Sequence, residues 1–309
     1  MRRRTEKSPI IAQNVSRAQR PVIVVLGTVT VMFLWAICFP LITTGLEFSS
    51  PFYFAGIRAL IAGVSLLVPC WLLGRPAPVG IEVWIMLFVV GLTVTSMGFF
   101  GMFLASEFIA PGLATVLANT QPLIAALLAY VVLNERLYSR SVIGIVFGFV
   151  GIIVIGLGAN NNDDGTMTVG IIYILIGALG VAMGNVALKR LAGKVDVPTA
   201  MGWQLLIGSV PLLVLAGFME EGQAVTWSVP FILSLVTVSL LGTSVAFVLW
   251  FWLLQYNELN RLNVFSFLTP AFGLFMGVAF FGESIGLPES IGIGLIIIGI
   301  LLATVRWGR

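Results

Sequence analysis

Long apolar runs separated by short polar connections fill most of the chain. Ten can be marked, at 22–46, 52–73, 83–106, 111–133, 141–159, 169–190, 198–219, 229–254, 261–281 and 288–306. A helix needs about 20 mostly apolar residues to cross the hydrocarbon core of a bilayer, and these runs have that scale. They are continuous, whereas the strands of a membrane β-barrel would alternate over short segments. Hydrocarbon offers no partner to backbone N–H and C=O, so each run must satisfy its own as a helix. The pattern predicts an all-α integral membrane protein with ten transmembrane helices.

Composition agrees. Of 309 residues, 59% are hydrophobic and 9% charged, with a mean hydropathy of +1.08. A soluble domain carries about 25% charged residues, so lipid is the solvent for most of this chain. The net charge of +3 conceals a strong asymmetry. Fifteen of the sixteen Lys and Arg lie in the N-terminal arm, the even-numbered connections and the C-terminus. The opposite side carries Glu47, Glu107, Asp163, Asp164, Glu220, Glu221 and Glu283. By the positive-inside rule both termini are expected in the cytoplasm, in a multi-pass protein of the cell inner (plasma) membrane. The basic stretch Met1 to Arg20 precedes a run long enough to span, so no cleavable signal is expected. Cys38 and Cys70 sit in apolar stretches without metal-ligand spacing, and the chain has no histidine. No phosphate-binding loop of the GxxxxGK[ST] type occurs. These features argue against an enzyme, an ATP-driven pump and a metal site. No catalytic residue, cofactor or nucleic acid is expected, and the partners are a small-molecule substrate and the lipid bilayer.

The chain also repeats. Residues 91–151 align without a gap on 239–299, at an offset of 148. Thr95, Ser96, Phe99 and Phe103 fall on Thr243, Ser244, Phe247 and Phe251. Pro122 falls on Pro270, Glu135 on Glu283, and Gly144 and Gly151 on Gly292 and Gly299. At an offset near 146, Trp35 falls on Val181 and Arg58 on Gln204. Five spans per unit is an odd number, so the second unit enters the membrane from the opposite side. The expected organisation is a cytoplasmic basic arm (1–21), a first five-helix repeat (22–159), an external linker (160–168) and a second, inverted repeat (169–309). Inverted repeats suit alternating access, because each half can adopt the other's conformation around a site near the midplane.

The run GLATVLANTQPLIAALLAYVVLNERLYSRSVIGIVFGFVGIIVIG resembles the first-half signature of the drug/metabolite transporter superfamily, EamA type. FSFLTPAFGLFMGVAFFGESIGLPESIGIGLIIIGI resembles the second, and FLWAICFPLI with SPFYFAGIRALIAG the opening helix pair. The resemblance implies ten helices and export of small metabolites, often amino acids or related compounds. Val181 departs from it, standing where a Trp is common.

Candidate substrate-binding residues follow from the repeat and from polarity inside spans. Arg58 is the one full charge set more than two residues inside a span, at a cost of at least about 2.5 kcal/mol at a helix centre. It could meet a substrate carboxylate, or pair with helix-end carbonyls near the outer surface. Thr95, Ser96, Thr243 and Ser244 could bind a polar ligand or join helices. Phe99 and Phe247 could wall a cavity or pack between helices. Pro122 and Pro270 break their helices and free the carbonyls of Ala118 and Ser266, beside Asn119, Gln121 and Thr269. Trp35, Trp203 and Gln204 could line the cavity, and Trp84 reads as an interfacial anchor. Glu135 and Glu283, just past helix ends, read as caps of the helices that follow them. The glycine-spaced segments 144–151 and 292–299 fit either tight packing within the chain or a homodimer. The leading reading is an exporter of amino acids or related amphipathic solutes. The alternatives are a facilitative channel and a drug-efflux carrier.

Overall fold

A computed structural model describes residues 21–133, 139–159, 165–220, 225–257, 262 and 264–304. The basic arm, Glu135 and most of the expected linker lie outside the described residues. The first half contains α1 (Pro21–Ala36), α2 (Cys38–Leu46), α3 (Pro51–Leu72), α4 (Ile81–Val90), a π-helical turn (Gly91–Met97), α5 (Gly98–Ala105), α6 (Pro111–Ala118), α7 (Gln121–Leu133) and α8 (Ser139–Ala159). The second contains α9 (Thr166–Leu191), α10 (Val197–Met219), α11 (Val229–Ser239), a second π turn (Leu240–Val245), α12 (Ala246–Tyr256), a 3-10 turn (Val264–Phe267), α13 (Leu268–Phe281) and α14 (Leu287–Thr304). No strand occurs among the described residues. Six stretches are long and apolar enough to cross a membrane: Val22–Leu46, Pro51–Leu72, Ile81–Ala105, Thr166–Leu191, Val197–Met219 and Val229–Tyr256. The run at 111–133 is not one helix but two, α6 and α7, interrupted between Ala118 and Gln121. Apolar side chains such as Leu26, Trp71, Phe218 and Phe275 are exposed on the outside, as a surface solvated by lipid requires.

Local chemistry sets the helix starts. Pro51, Pro111, Pro198 and Pro230 occupy first-turn positions of α3, α6, α10 and α11, where a missing N–H costs nothing. Asp196 accepts from the Thr199 N–H at 3.3 Å, and Ser228 from that of Phe231 at 3.3 Å.

Two equivalent helices, α3 and α10, pack antiparallel, and a polar clasp closes each end of the pair. At one end the buried Glu220, after α10, accepts from Ser50 Oγ (2.6 Å) and from the N–H groups of Phe52 (2.8 Å) and Tyr53 (3.0 Å) at the start of α3. At the other, Arg75, after α3, pairs at 2.9 Å with Asp196, the N-cap of α10. Each helix thus begins where its repeat-mate ends, which is the geometry of inversion. Charge sorts with the ends. Glu107 lies near Glu220, while Lys194 pairs with Glu82 (3.3 Å) at the Arg75 end.

The last helices of the two halves, α8 and α14, are likewise antiparallel. A Cβ on Gly151 would sit 2.6 Å from the Gly292 carbonyl oxygen, and one on Gly299 would sit 2.5 Å from that of Gly144. These equivalent glycines let α8 and α14 of one chain touch backbone to backbone, so the glycine stripes serve intramolecular packing. Gly299→Leu is expected to lower the thermal midpoint of the detergent-purified protein, by an overpacking cost of about 1–3 kcal/mol or more. Gly294, whose Cβ would meet open space, is the control site for the same substitution.

Burial first, and then the Glu220 charge, raise the Glu107 carboxyl above the ordinary carboxylate range. An acid whose pKa is raised by folding favours the fold below its unfolded value, and that contribution fades as pH climbs through the raised value. Glu107→Gln should therefore flatten the pH dependence of thermal unfolding and exceed the native chain in midpoint at neutral pH, as read by a melt series from mildly acidic to neutral buffer.

Candidate functional site

The two π turns occupy equivalent positions in the halves, and each carries the Thr-Ser pair. A π turn adds a residue to the helix and spoils the regular ladder, and such bulges cluster at functional sites. Here hydroxyls reach back to stranded carbonyls five residues earlier: Thr243 Oγ1 to Val238 O (2.8 Å), Ser244 Oγ to Ser239 O (3.1 Å) and Ser96 Oγ to Gly91 O (3.4 Å).

Each bulge then binds the second helix of the opposite half. Thr95 Oγ1 donates to Gln204 Oε1 at 2.7 Å, and Arg58 Nε donates to Thr243 Oγ1 at 2.8 Å. Ser96 Oγ reaches the Gly208 carbonyl (2.8 Å) and Ser244 Oγ that of Ala62 (3.1 Å). Arg58 corresponds to Gln204 and Ala62 to Gly208 at the same offset, so one motif is built twice. Its polarity differs because arginine only donates, whereas the amide oxygen of Gln204 accepts. A threonine hydroxyl serves either need.

Between the halves lies a cavity of about 150 Å³. Its lining falls into repeat-related pairs: Met32 with Ala178, Trp35 with Val181, Phe39 with Asn185, Arg58 with Gln204, Phe99 with Phe247, Met102 with Trp250, Ala118 with Ser266, and Gln121 with Thr269. Sixteen of its twenty-three lining residues belong to these eight pairs. The cavity therefore sits on the axis relating the halves. Phe99 and Phe247 approach across it at 6.4 Å between centroids, and Trp35 stands edge-on to Phe247 at 6.3 Å and tilted against Trp250 at 5.2 Å. Arg58, 1% exposed, lies with Cζ 4.3 Å from the Phe99 centroid, a cation–π distance. Its Nη2 is 3.5 Å from Cys38 Sγ.

Of the residues expected at a binding site, Trp35, Arg58, Phe99, Asn119, Gln204, Phe247 and Ser266 border the cavity. Thr95, Ser96, Thr243 and Ser244 stand behind the wall and fix the bulges. Trp203 is a correction: it packs edge-on against Trp84 at 5.1 Å, away from the cavity. One residue along a helix is a rotation of about 100°, so only one of Trp203 and Gln204 can face the axis. Arg58 is also corrected, from the outer-surface alternative to a buried wall position; its partners are a side-chain hydroxyl, a thiol and rings rather than helix-end carbonyls. Phe103 and Phe251 are fully buried packing residues. The helix carrying Pro122 is broken beside the cavity, where Asn119 Nδ2 donates to Thr115 O (2.9 Å) and Thr120 Oγ1 to Leu117 O (2.7 Å). Pro270 follows the 3-10 turn in the other half. Glu283 is corrected from a cap on the helix that follows it: it accepts from the Gly112 N–H at 2.7 Å and so caps α6, a helix of the opposite half. Asn185 and Trp250, joined at 3.4 Å, were not anticipated. One step of the repeat from Phe39 and Met102 would have found both.

A cavity on the axis between two inverted helical halves, in a body with a lipid-facing exterior, defines a membrane transporter. The chain belongs to the EamA-like transporter family, whose model matches it twice, at residues 22–157 and 168–305. It is 27% identical over 276 residues to the uncharacterized transporter YvbV of Bacillus subtilis, covering 89% of each chain. It is 27% identical over 292 residues to a probable amino-acid metabolite efflux pump of Escherichia coli, covering 90% of this chain and 94% of that one. A solved structure titled "Crystal structure of protein" shares the fold, with a TM-score of 0.66 at 20% identity over 91% of this chain and 96% of that one.

The two copies of the hydroxyl motif predict unequal costs. Thr243→Val removes the acceptor of a buried cation, and hydrogen bonds to charged groups contribute about 1.5–3 kcal/mol. Thr95→Val removes a donor to a neutral amide, worth about 0.5–1.5 kcal/mol. Thermal unfolding in detergent should show the larger loss for Thr243→Val.

Proposed function

We propose that this chain is a secondary transporter that exports small metabolites, amino acids or related amphipathic solutes foremost, by alternating access across the inner (plasma) membrane. The observation that carries this reading is the axial cavity, whose walls come in equivalent pairs from both inverted halves. Such a site stays in place while the halves exchange conformations around it. Ten spans with both termini cytoplasmic complete the picture: the six long helices plus the broken α6–α7 unit, α8, α13 and α14. Trp35, Arg58, Phe99, Asn119, Gln204, Phe247 and Ser266 are the solute contacts. Thr95, Ser96, Thr243 and Ser244 hold the bulges, and the breaks at Pro122 and Pro270 make room beside the cavity. No Asp or Glu lines it among the described residues, which favours facilitated export or exchange over coupling through an acid in the site. The name of the Escherichia coli relative supports the amino-acid class.

The test is counterflow in proteoliposomes loaded with unlabelled amino acids, following uptake of labelled tracer. Saturable accumulation absent from protein-free vesicles is the expected result. Val181→Trp, at the repeat equivalent of Trp35 on the cavity wall, should cut it by about tenfold or more, since the added ring takes up volume that the solute would occupy. Full activity in that variant would remove the cavity from the path. Ion currents without saturation would point to a channel, and counterflow only with bulky drugs to a drug-efflux carrier.

A further inference from the structure

Arg58 is a buried cation without a counter-ion. Its side chain is 1% exposed, and the only ion pairs among the described residues are Arg75–Asp196 and Lys194–Glu82. Thr243, Cys38 and the Phe99 ring engage Nε, Nη2 and the guanidinium face, while Nη1 has no partner. Two further N–H groups, on residues that line the same cavity, are buried without an acceptor, Gln204 Nε2 and Trp35 Nε1. Buried donors are normally satisfied, and an unpaired one carries its full desolvation cost. Three on one cavity, one of them charged, mark a place for an acceptor that comes from outside the protein. The repeat explains the layout, since Arg58 and Gln204 are equivalent and flank the axis, each anchored to a π bulge through its other polar atom.

We propose that this cavity recognises its solute by a carboxylate, received by Arg58 Nη1, Gln204 Nε2 and Trp35 Nε1, and that the preferred class is an amphipathic monocarboxylate without an ionised amine. The inference rests on the axial cavity being the transport site, and within the proposed solutes it ranks the related amphipathic carboxylates ahead of amino acids. A carboxylate supplies the missing counter-charge to Arg58 and two oxygens for the donors. The remainder of the solute lies against Phe99, Phe247 and Trp250. An ammonium group finds no acid on the lining, so it meets desolvation and the like charge of Arg58. Amino acids therefore bind through the carboxylate alone, and their amine is a burden rather than a handle.

Isothermal titration of the full chain in detergent tests this with four ligands sharing one body: N-acetyl-phenylalanine, phenylalanine, phenylalaninamide and N-acetyl-phenylalaninamide. The expected order is N-acetyl-phenylalanine tightest, phenylalanine next, and both amides weaker than N-acetyl-phenylalanine by about tenfold or more. Arg58→Gln should abolish the gap between N-acetyl-phenylalanine and its amide. Combining Arg58→Gln with Gln204→Arg, which moves the cation to the equivalent position beside Thr95, should restore it. Equal affinities across the series in the native chain, a preference for phenylalaninamide, or no binding by any of the four would each overturn the proposal without recourse to a variant. Counterflow of some other solute that Val181→Trp blocks would leave the carrier reading standing in those cases.

Discussion

The guanidinium of Arg58 is the most deeply buried charged group among the described residues, and much of the architecture around it answers the cost of that burial. A cation placed among apolar helices is retained only where other groups replace its water. The replacements come from three separate elements. Phe99 offers a ring face from α5, Thr243 an oxygen from the second π turn, and Cys38 a sulfur from the start of α2. The π turn matters here. Thr243 already donates its proton to the Val238 carbonyl that the bulge strands, so its lone pairs are turned outward to receive Arg58. Backbone irregularity and buried charge thus satisfy each other across the boundary between the halves.

The same boundary carries the symmetric partner of that arrangement with the charge removed. Gln204 and Thr95 reproduce the contact with donor and acceptor exchanged. The backbone scaffold is therefore two-fold related while the cavity chemistry is not. Trp35 corresponds to Val181, Phe39 to Asn185 and Met102 to Trp250. For a carrier this division is useful. Near-symmetric helices allow the halves to trade shapes, and unlike side chains on the axis give an asymmetric solute one favoured orientation.

The coarse frame could be read from the sequence because hydropathy and repetition are long-range signals. The continuous apolar runs require helices, and the ungapped offset between Thr95-Ser96 and Thr243-Ser244 marks equivalent positions in the two halves. Shorter-range features escaped. A hydropathy window cannot see a π turn, since the added residue changes hydrogen bonding without changing composition. Depth misled as well. Arg58 lies two turns from the start of α3, close to the polar end by counting, yet α2 and the second π turn pack over it. Trp203 and Gln204 look alike as candidates along the sequence, although neighbours on a helix point about 100° apart. Asn185, a lone amide in an apolar run, does not stand out until the repeat aligns it with Phe39.

The threonine pair shows how a duplicated frame can hold one shape and take on two chemistries. A hydroxyl both donates and accepts, so Thr95 can serve an amide and Thr243 a cation with no change in the bulge. Arginine and glutamine are both long and both end in N–H groups, so each can anchor one polar atom to its threonine and leave another directed at the axis. The structure has this form at Arg58 and at Gln204: one atom tied back, one N–H unpartnered. These two donors belong to residues of opposite halves that line one cavity. A ligand that accepts from both would bridge the halves directly, and its departure would release them from each other. Recognition and the relative movement of the repeats would then depend on the same few hydrogen bonds.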